Sequence, residues 1–245
     1  MFIGEQTDST GLETLEIFSN APAINQWLYE KIEGFISGQV LETGSGIGNI
    51  SQLLLESNPT VSLSDLRSDY CHLLEKKFIS NPNLQSIFEL DISVKDFKIV
   101  YAQWLAKFDT VIALNVIEHI QDDAGAIQNA GELLKENGKL VILVPAGEWL
   151  KNGLDQQLGH FKRYSKKDLS ELLKTAGLKV SNLQYFNFAA ILGWWLSGKI
   201  QGNKIIPANQ LKLFNRFVPV FRILDWFLKP FAGISLIAVG TKTKS

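Results

Sequence analysis

The stretch Leu41-Glu42-Thr43-Gly44-Ser45-Gly46-Ile47-Gly48-Asn49 decides the predicted fold, because it places three glycines at alternate positions directly after an apolar run. Glycines in this arrangement let the backbone approach a ligand where any side chain would collide. A dinucleotide-binding loop has the pattern G-x-G-x-x-G, and its third glycine would fall on Asn49. The phosphate-binding pattern G-x-x-x-x-G-K-[ST] is also absent. The loop therefore indicates a nucleotide-binding α/β fold that is not a dehydrogenase, and the cofactor must be inferred from other residues.

Short apolar runs alternate with helical patterns from Gln39 onward, which predicts a parallel sheet wrapped by helices. A helix over 165–175 should begin after Ser165 and end before Gly177. Asn137-Gly138 predicts a turn before the fifth strand. The predicted strands are 39–43, 60–64, 84–90, 109–114, 139–144, 179–186 and 234–241. The expected fold class is α/β, with a Rossmann-like, seven-stranded, mostly parallel sheet and helices on both faces.

The chain reads as a single domain over 1–245, with helical decoration over 1–38 and a helical cap over 187–233, inserted before the last strand. The run Phe186–Leu196 is too short to span a bilayer. Apolar residues then recur every three to four positions from Leu211 to Leu228, with Pro219 predicted to kink this helix or to open a second one. Such a stripe suits a cap over the active site, a membrane-surface element or packing on the protein's own core.

Charge is distributed unevenly along the chain. Residues 1–148 hold 9 Lys and Arg against 21 Asp and Glu, whereas residues 149–245 hold 15 against 4. The basic half predicts contact with an anionic substrate or surface, and a solvated basic face is the alternative. The single cysteine excludes an internal disulfide, and the N-terminus lacks a signal-peptide pattern. A cytoplasmic location is expected, with peripheral membrane contact as a further expectation.

Polar residues follow the predicted strands at the edge where open α/β sheets bind ligands. Glu42 lies two residues before Gly44, where an acid would repel a pyrophosphate but suits a cationic ligand. Asp65 ends the second strand, in position to bind both hydroxyls of a ribose. Asp91-Ile92 follows the third strand and offers a carboxylate for an exocyclic amine beside an apolar face for a flat base. Asn115 follows the fourth strand, where substrate would meet cofactor.

Over roughly residues 38–180 these features together resemble the class I S-adenosylmethionine-dependent methyltransferases of the bacterial small-molecule and lipid type. Thr43 departs from the Val, Leu or Ile more common there. The resemblance implies an enzyme with S-adenosyl-L-methionine as cofactor and S-adenosyl-L-homocysteine as product. It also implies that the loop and first acid hold the methionine part, Asp65 the ribose and Asp91-Ile92 the adenine. The expected cofactor contacts are Glu42, Gly44, Ser45, Gly46, Asp65, Leu66, Asp91, Ile92 and Asn115.

Methyl transfer from a sulfonium needs alignment more than activation, so no metal site is predicted, and no His/Asp/Glu spacing indicates one. A hydroxyl acceptor would gain from a general base. His160 is preferred for this role over His119, which could instead fix its turn by hydrogen bonds. The run Gly159–Tyr164 resembles a G-H-x-R-R-Y element of some bacterial methyltransferases, with Lys162 in place of the first Arg.

Arg163 and Tyr164 are predicted to orient a phosphate, carboxylate or sugar, with a structural role for this loop as the alternative. Trp194 and Trp195 are predicted substrate contacts. The predicted function is O-methylation of an amphipathic, lipid-like or anionic small molecule. Methylation of a soluble sugar or small acid, and a non-catalytic cofactor-binding homologue, stay open. Nucleic acid is not an expected partner, because Asn115-Val116-Ile117-Glu118 stands where an N-P-P-Y tetrapeptide would be. The oligomeric state is not predicted.

Overall fold

A computed structural model describes residues 5–200 and 207–243. Seven strands form one sheet in the order β3-β2-β1-β4-β5-β7-β6. They are β1 Val40–Thr43, β2 Val61–Asp65, β3 Leu84–Glu89, β4 Phe108–Leu114, β5 Leu134–Pro145, β6 Leu178–Phe186 and β7 Ser235–Lys242. β7 runs antiparallel to β5 and β6, while β1 to β5 pair in parallel. The predicted seven-stranded, mostly parallel α/β sheet is confirmed.

Both faces of the central strands are buried, which explains why they read as continuous apolar runs. Val111 belongs to the core cluster on one face of the sheet and Ile112 to the cluster on the other. Ala238 and Ile237 of β7 divide in the same way. The helices that cover the two faces are α1 Glu5–Ser19, α2 Pro22–Ile32, α3 Ser51–Ser57, α4 Ser68–Phe78, α5 Phe97–Val100, α6 Asp123–Glu132, α7 Gly153–Gln157, α8 Lys166–Thr175, α9 Ala190–Trp195 and α10 Ala208–Leu228.

The predicted limits of α8 are confirmed at both ends. The Ser165 hydroxyl accepts a hydrogen bond from the backbone N–H of Asp168, and the Asp168 carboxylate accepts one from the Ser165 backbone N–H. This reciprocal pair satisfies donors that the first turn leaves free. Gly177 follows the helix with φ of 76°, a left-handed conformation that favours glycine.

One local prediction was wrong, and one alternative of another is excluded. Asn137 and Gly138 lie within β5 rather than in a turn that precedes it. Asn137 has φ of 63°, and the β4–β5 register shifts between Phe108 and Thr110, so the extra residues form an irregularity inside the strand. Of the two alternatives predicted for Pro219, the second helix does not form, because α10 continues from Ala208 to Leu228 through this residue, and a kink stays a prediction.

The helices α1, α2 and α10 do not belong to the regular alternation of strands and helices, and they pack against one another. α2 packs against both α1 and α10. α9 continues into a π-helical turn at Leu196–Ile200. Residues 1–4 of the predicted N-terminal decoration and 201–206 of the predicted cap lie outside the described residues. Within the described ranges, none of the helices has the length and apolarity needed to cross a membrane.

Candidate active site

A cavity of about 1100 Å³ opens at the carboxyl ends of β1, β2 and β4. Ligand cavities in proteins commonly measure about 300–1,000 Å³, so this one has room for a cofactor and a second molecule. All nine residues predicted to contact the cofactor line it, namely Glu42, Gly44, Ser45, Gly46, Asp65, Leu66, Asp91, Ile92 and Asn115. The fold therefore brings together positions that are spread over more than 70 residues of sequence.

The glycine loop is shaped by backbone conformations that side chains disfavour. Gly44 and Gly46 have φ of 70° and 55°. A Cβ atom at Gly44 would lie 2.4 Å from Cγ2 of Val116. The Gly46 N–H donates a 2.8 Å hydrogen bond to Oδ2 of Asp65, which ties the loop to the end of β2. The loop therefore presents backbone rather than side chain to the cavity.

Two buried acids give this end of the cavity its electrostatic character. The Ser51 hydroxyl donates a short hydrogen bond to Oε2 of Glu42. Burial nevertheless raises the pKa of Glu42 to about 7. Burial likewise raises the pKa of Asp65, against hydrogen bonds from the N–H groups of Gly46 and Arg67. A cationic ligand beside these carboxyl groups would favour their ionised forms.

The remaining predicted contacts complete the same wall. Oδ1 of Asp91 accepts hydrogen bonds from the N–H (2.8 Å) and hydroxyl (2.6 Å) of Ser93, and Ile92 is buried next to it. Asn115 has φ of 55°, and its N–H donates to the Leu143 carbonyl at 2.9 Å. The left-handed backbone at Asn115 turns the chain sharply out of β4. Buried acids, positive-φ glycines and a carboxyl beside an apolar surface fit the charge and shape of S-adenosylmethionine.

A second group of polar side chains lies on the wall after β5. Nδ1 of His160 lies 2.9 Å from Oδ1 of Asp155, and Nε of Arg163 lies 2.8 Å from the same oxygen. Burial would raise the pKa of Asp155, but these two partners hold it below its ordinary value. An ionised Asp155 keeps a proton on Nδ1 of His160, which leaves Nε2 free to accept one.

Glu118 and His119 lie next to His160. The His119 and His160 rings are 4.9 Å apart in a T-shaped arrangement. His119 faces the cavity. Burial lowers the pKa of its imidazole, and the nearby His160 lowers it further. Glu118 is fully buried without a hydrogen-bond partner for either carboxylate oxygen, and burial raises its pKa to about 8. Ligand atoms of Glu118, His119 and His160 lie within 4.8 Å of one another, so these residues could hold a divalent cation.

The sequence did not reveal this cluster, because the fold joins Glu118-His119 to a loop about 40 residues further along. Asp155 was also not predicted as a site residue. Its one local signal is a capping box with Asn152 at the start of α7. That a metal is not required remains a prediction.

Of the four predicted substrate contacts, Arg163 and Trp194 line the cavity and Tyr164 and Trp195 do not. Trp194 lines the cavity, and its ring lies 4.7 Å from the Arg163 guanidinium. Arg163 also lines it, but this guanidinium is committed to Asp155 and the Ala146 carbonyl. Tyr164 and Trp195 are not among the residues that line the cavity. Tyr164 is 1% exposed and donates to Asp123 at 3.0 Å, whereas Trp195 is 41% exposed, so the structure does not support these two predictions.

Comparisons with known proteins agree with this geometry. The family model of the methyltransferase domain matches residues 20–183. The ubiquinone biosynthesis O-methyltransferase of Haemophilus ducreyi is 23% identical over 194 residues, which cover 73% of this chain and 81% of that protein. The protein of the same name from Xanthomonas euvesicatoria is 25% identical over 158 residues, which cover 59% of this chain and 64% of that protein.

Solved structures share the fold at low sequence identity. The Haloferax volcanii protein in a complex with the Trm112 methyltransferase activator has a TM-score of 0.66 and 13% identity, with 98% of this chain and 97% of that chain covered. A SAM-dependent methyltransferase from Archaeoglobus fulgidus has a TM-score of 0.59 and 16% identity, with 89% and 93% covered. The chain belongs to the methyltransferase-domain family and is an S-adenosylmethionine-dependent methyltransferase with a Rossmann-like fold.

Proposed function

We propose that this enzyme transfers a methyl group to a hydroxyl oxygen of an amphipathic, lipid-like small molecule. The observation that carries the proposal is that one cavity is lined both by the buried acids of the glycine loop and by His160, whose ring is held from behind by the buried Asp155. The relatives from Haemophilus and Xanthomonas are named as O-methyltransferases of ubiquinone biosynthesis, which supports an oxygen acceptor.

In this proposal the glycine-loop end holds the cofactor. Glu42 and the backbone of Gly44 and Gly46 bind the methionine part, Asp65 binds the ribose, and Asp91 with Ile92 binds the adenine. When bound, S-adenosylmethionine supplies an electrophilic methyl group on a positively charged sulfur. The protein's task is then to place the acceptor oxygen in line with that methyl at about 3 Å and to exclude water.

His160 is the proposed general base. Asp155 holds Nδ1 of this ring at 2.9 Å and fixes its orientation, so Nε2 would take the proton of the acceptor hydroxyl. The acceptor oxygen would take the methyl group from the bound cofactor, and the electrons of the broken sulfur–carbon bond would leave with S-adenosylhomocysteine. Arg163 contributes through Asp155, which it contacts at 2.8 Å, and is thus a positioning residue rather than an anion-binding one. His119 lies beside the base and lines the same wall.

Apolar side chains of α9 and α10 also line the cavity, and we assign this part of it to the acceptor. Trp194 of α9 and Leu211 and Phe214 of α10 form part of it. These helices act, in this proposal, as the cap over the acceptor, and their apolar surface favours a hydrophobic portion of the substrate. We expect the enzyme to work in the cytoplasm, in peripheral contact with a membrane.

Methyl-labelled S-adenosylmethionine, incubated with the protein and a host-cell extract, provides the test. We expect protein-dependent label in the organic phase. His160→Gln should lower the rate about 100-fold while cofactor affinity is retained, because the base acts on the acceptor. His72→Gln is the matched control, since His72 is an exposed histidine of α4 outside the cavity.

Three results would contradict this assignment. Label in the aqueous phase would favour a soluble sugar or small acid as acceptor. Cofactor binding without turnover on any fraction would favour a non-catalytic homologue. Loss of activity on chelation, with recovery on addition of a divalent cation, would assign Glu118, His119 and His160 as metal ligands instead.

A further inference from the structure

α10 carries an apolar face that the protein's own core does not cover. Its opposite side packs inward through Leu211 and Val218, which are buried in the core. The outer face of α10, as we call it, consists of side chains spaced four or three residues apart, which places them on one side of the helix. These side chains are 43–60% exposed, and they are Leu213, Phe217, Val220, Leu224 and Phe227.

Further exposed apolar side chains widen this surface. Ile223 and Trp226 of the same helix are 64% and 65% exposed. A contiguous apolar surface of this kind is uncommon on a monomeric protein and marks a contact with another apolar phase or partner. The alternative that the sequence left open, in which the stripe packs on the core, holds for the inner side of α10, where Leu211 and Val218 are buried, but does not account for the outer face.

The charges of α10 are complementary to an anionic surface. Lys212 and Arg216 are exposed and border the N-terminal half of the outer face. The helix has one acid, Asp225, which is buried and accepts a hydrogen bond from the Phe188 N–H. The exposed part of α10 thus combines apolar and basic groups without an exposed carboxylate, as interfacial helices do.

The same helix reaches the cavity. Gln210, Leu211 and Phe214, in its first two turns, line the same cavity as the candidate active site. A membrane or a partner protein that covers the outer face would therefore lie beside the part of the cavity that α10 lines.

We propose that the outer face of α10 docks on a lipid bilayer that contains anionic lipids. The apolar side chains enter the boundary between headgroups and acyl chains, and Lys212 and Arg216 contact lipid phosphates. Docking of this kind is a property of the surface and does not depend on the identity of the acceptor.

Co-sedimentation of the full chain with vesicles tests the proposal without methyl transfer. We expect binding to phosphatidylcholine/phosphatidylglycerol vesicles about tenfold stronger than to pure phosphatidylcholine, and weaker at high salt. Leu224→Glu with Phe227→Glu should abolish binding to both vesicle types. Lys212→Ala with Arg216→Ala should remove the preference for anionic vesicles and its dependence on salt.

The matched control is Ile99→Glu, because Ile99 is an exposed apolar residue of α5, away from this surface. Its vesicle binding should equal that of the wild type. All variants should keep the wild-type thermal midpoint and cofactor affinity, which separates loss of docking from loss of fold or of the proposed function.

Two outcomes would overturn the proposal. One is equal vesicle binding by the wild type and the Leu224→Glu/Phe227→Glu variant. The other is a wild-type dimer in sedimentation velocity that does not bind vesicles and that this variant converts to a monomer, since the face would then bind a second copy of the chain.

Discussion

Glu42 shows how one buried side chain can set the chemistry of a site. Its carboxyl group is almost fully buried, and burial raises its pKa to about 7 despite the hydrogen bond from Ser51. The carboxyl group of Glu42 therefore changes charge close to neutral pH. In the proposed site a cationic cofactor binds the ionised form better, because charge attraction then compensates for desolvation.

This pKa predicts a pH dependence of cofactor binding. Glu42 is mostly protonated at pH 6 and mostly ionised at pH 7.5, so affinity should rise about five- to tenfold between these values. Titration calorimetry with S-adenosylmethionine measures the effect. Glu42→Gln should bind weakly with little pH dependence, while the exposed Glu33→Gln should behave like the wild type. An equal slope in the Glu42→Gln protein would assign the titration to another group.

At the residue scale, the sequence predicted the strand-end positions well and the loop side chains poorly. Glu42 lies one residue before the end of β1 and Asp65 ends β2, so their place at the carboxyl edge of the sheet follows from topology. Tyr164 and Trp195 each stand next to a residue that lines the cavity, yet neither lines it. Adjacent residues point in different directions, and which one faces a cavity depends on contacts with distant elements, here Asp123 for Tyr164.

At the scale of elements, the sequence predicted helical decoration over 1–38, which includes α1, but it did not predict what α1 contacts. In the structure Leu15 contacts the glycine loop, because a Cβ atom at Gly46 would lie 2.9 Å from Cδ1 of Leu15. The Asn49 side-chain amide donates to the Leu15 carbonyl at 2.9 Å. A periodic pattern shows that a helix forms but not which surface it covers, so this position could not be predicted from the sequence.

We expect α1 to contribute to cofactor retention. Leu15→Ala should weaken S-adenosylmethionine binding about three- to tenfold, because the side chain that covers the loop is shortened and the cavity wall opens. Glu13→Ala, an exposed change on the same helix, is the control. The measurement is again calorimetric, with unfolding curves to show that both variants stay folded. Unchanged affinity in Leu15→Ala would mean that α1 lies against the loop without holding the ligand.

At the scale of the molecule, the two-sided core is what the sequence predicts best. Runs such as Val111-Ile112 and Ile237-Ala238 supply both core clusters, so the sheet and its class follow from the pattern of apolar runs along the sequence. Polar groups that the fold buries are harder to predict. Glu118 lies in a run that the sequence assigns to the acceptor edge, and only the assembled structure shows it enclosed without a partner.

Glu118 should make the stability of the whole molecule depend on pH. Burial raises its pKa from an ordinary 4.5 to about 8, so between these values the folded state binds more protons than the unfolded state. The contribution of Glu118 to the free energy of unfolding therefore falls as pH rises through this window. Glu118→Gln cannot ionise, so its stability relative to the wild type should improve by about 3 kcal/mol between pH 6 and pH 9.

Urea unfolding of both proteins at the two pH values measures this difference. For Glu75→Gln, an exposed change on α4, the stability difference from the wild type should be nearly the same at both pH values. A constant difference between wild type and Glu118→Gln would show that Glu118 is already ionised in the folded state. Because neither oxygen has a hydrogen-bond partner among the described residues, an ionised Glu118 would need a counter-charge. Arg163 and a cation held with His119 and His160 are the two sources that this corner of the cavity offers.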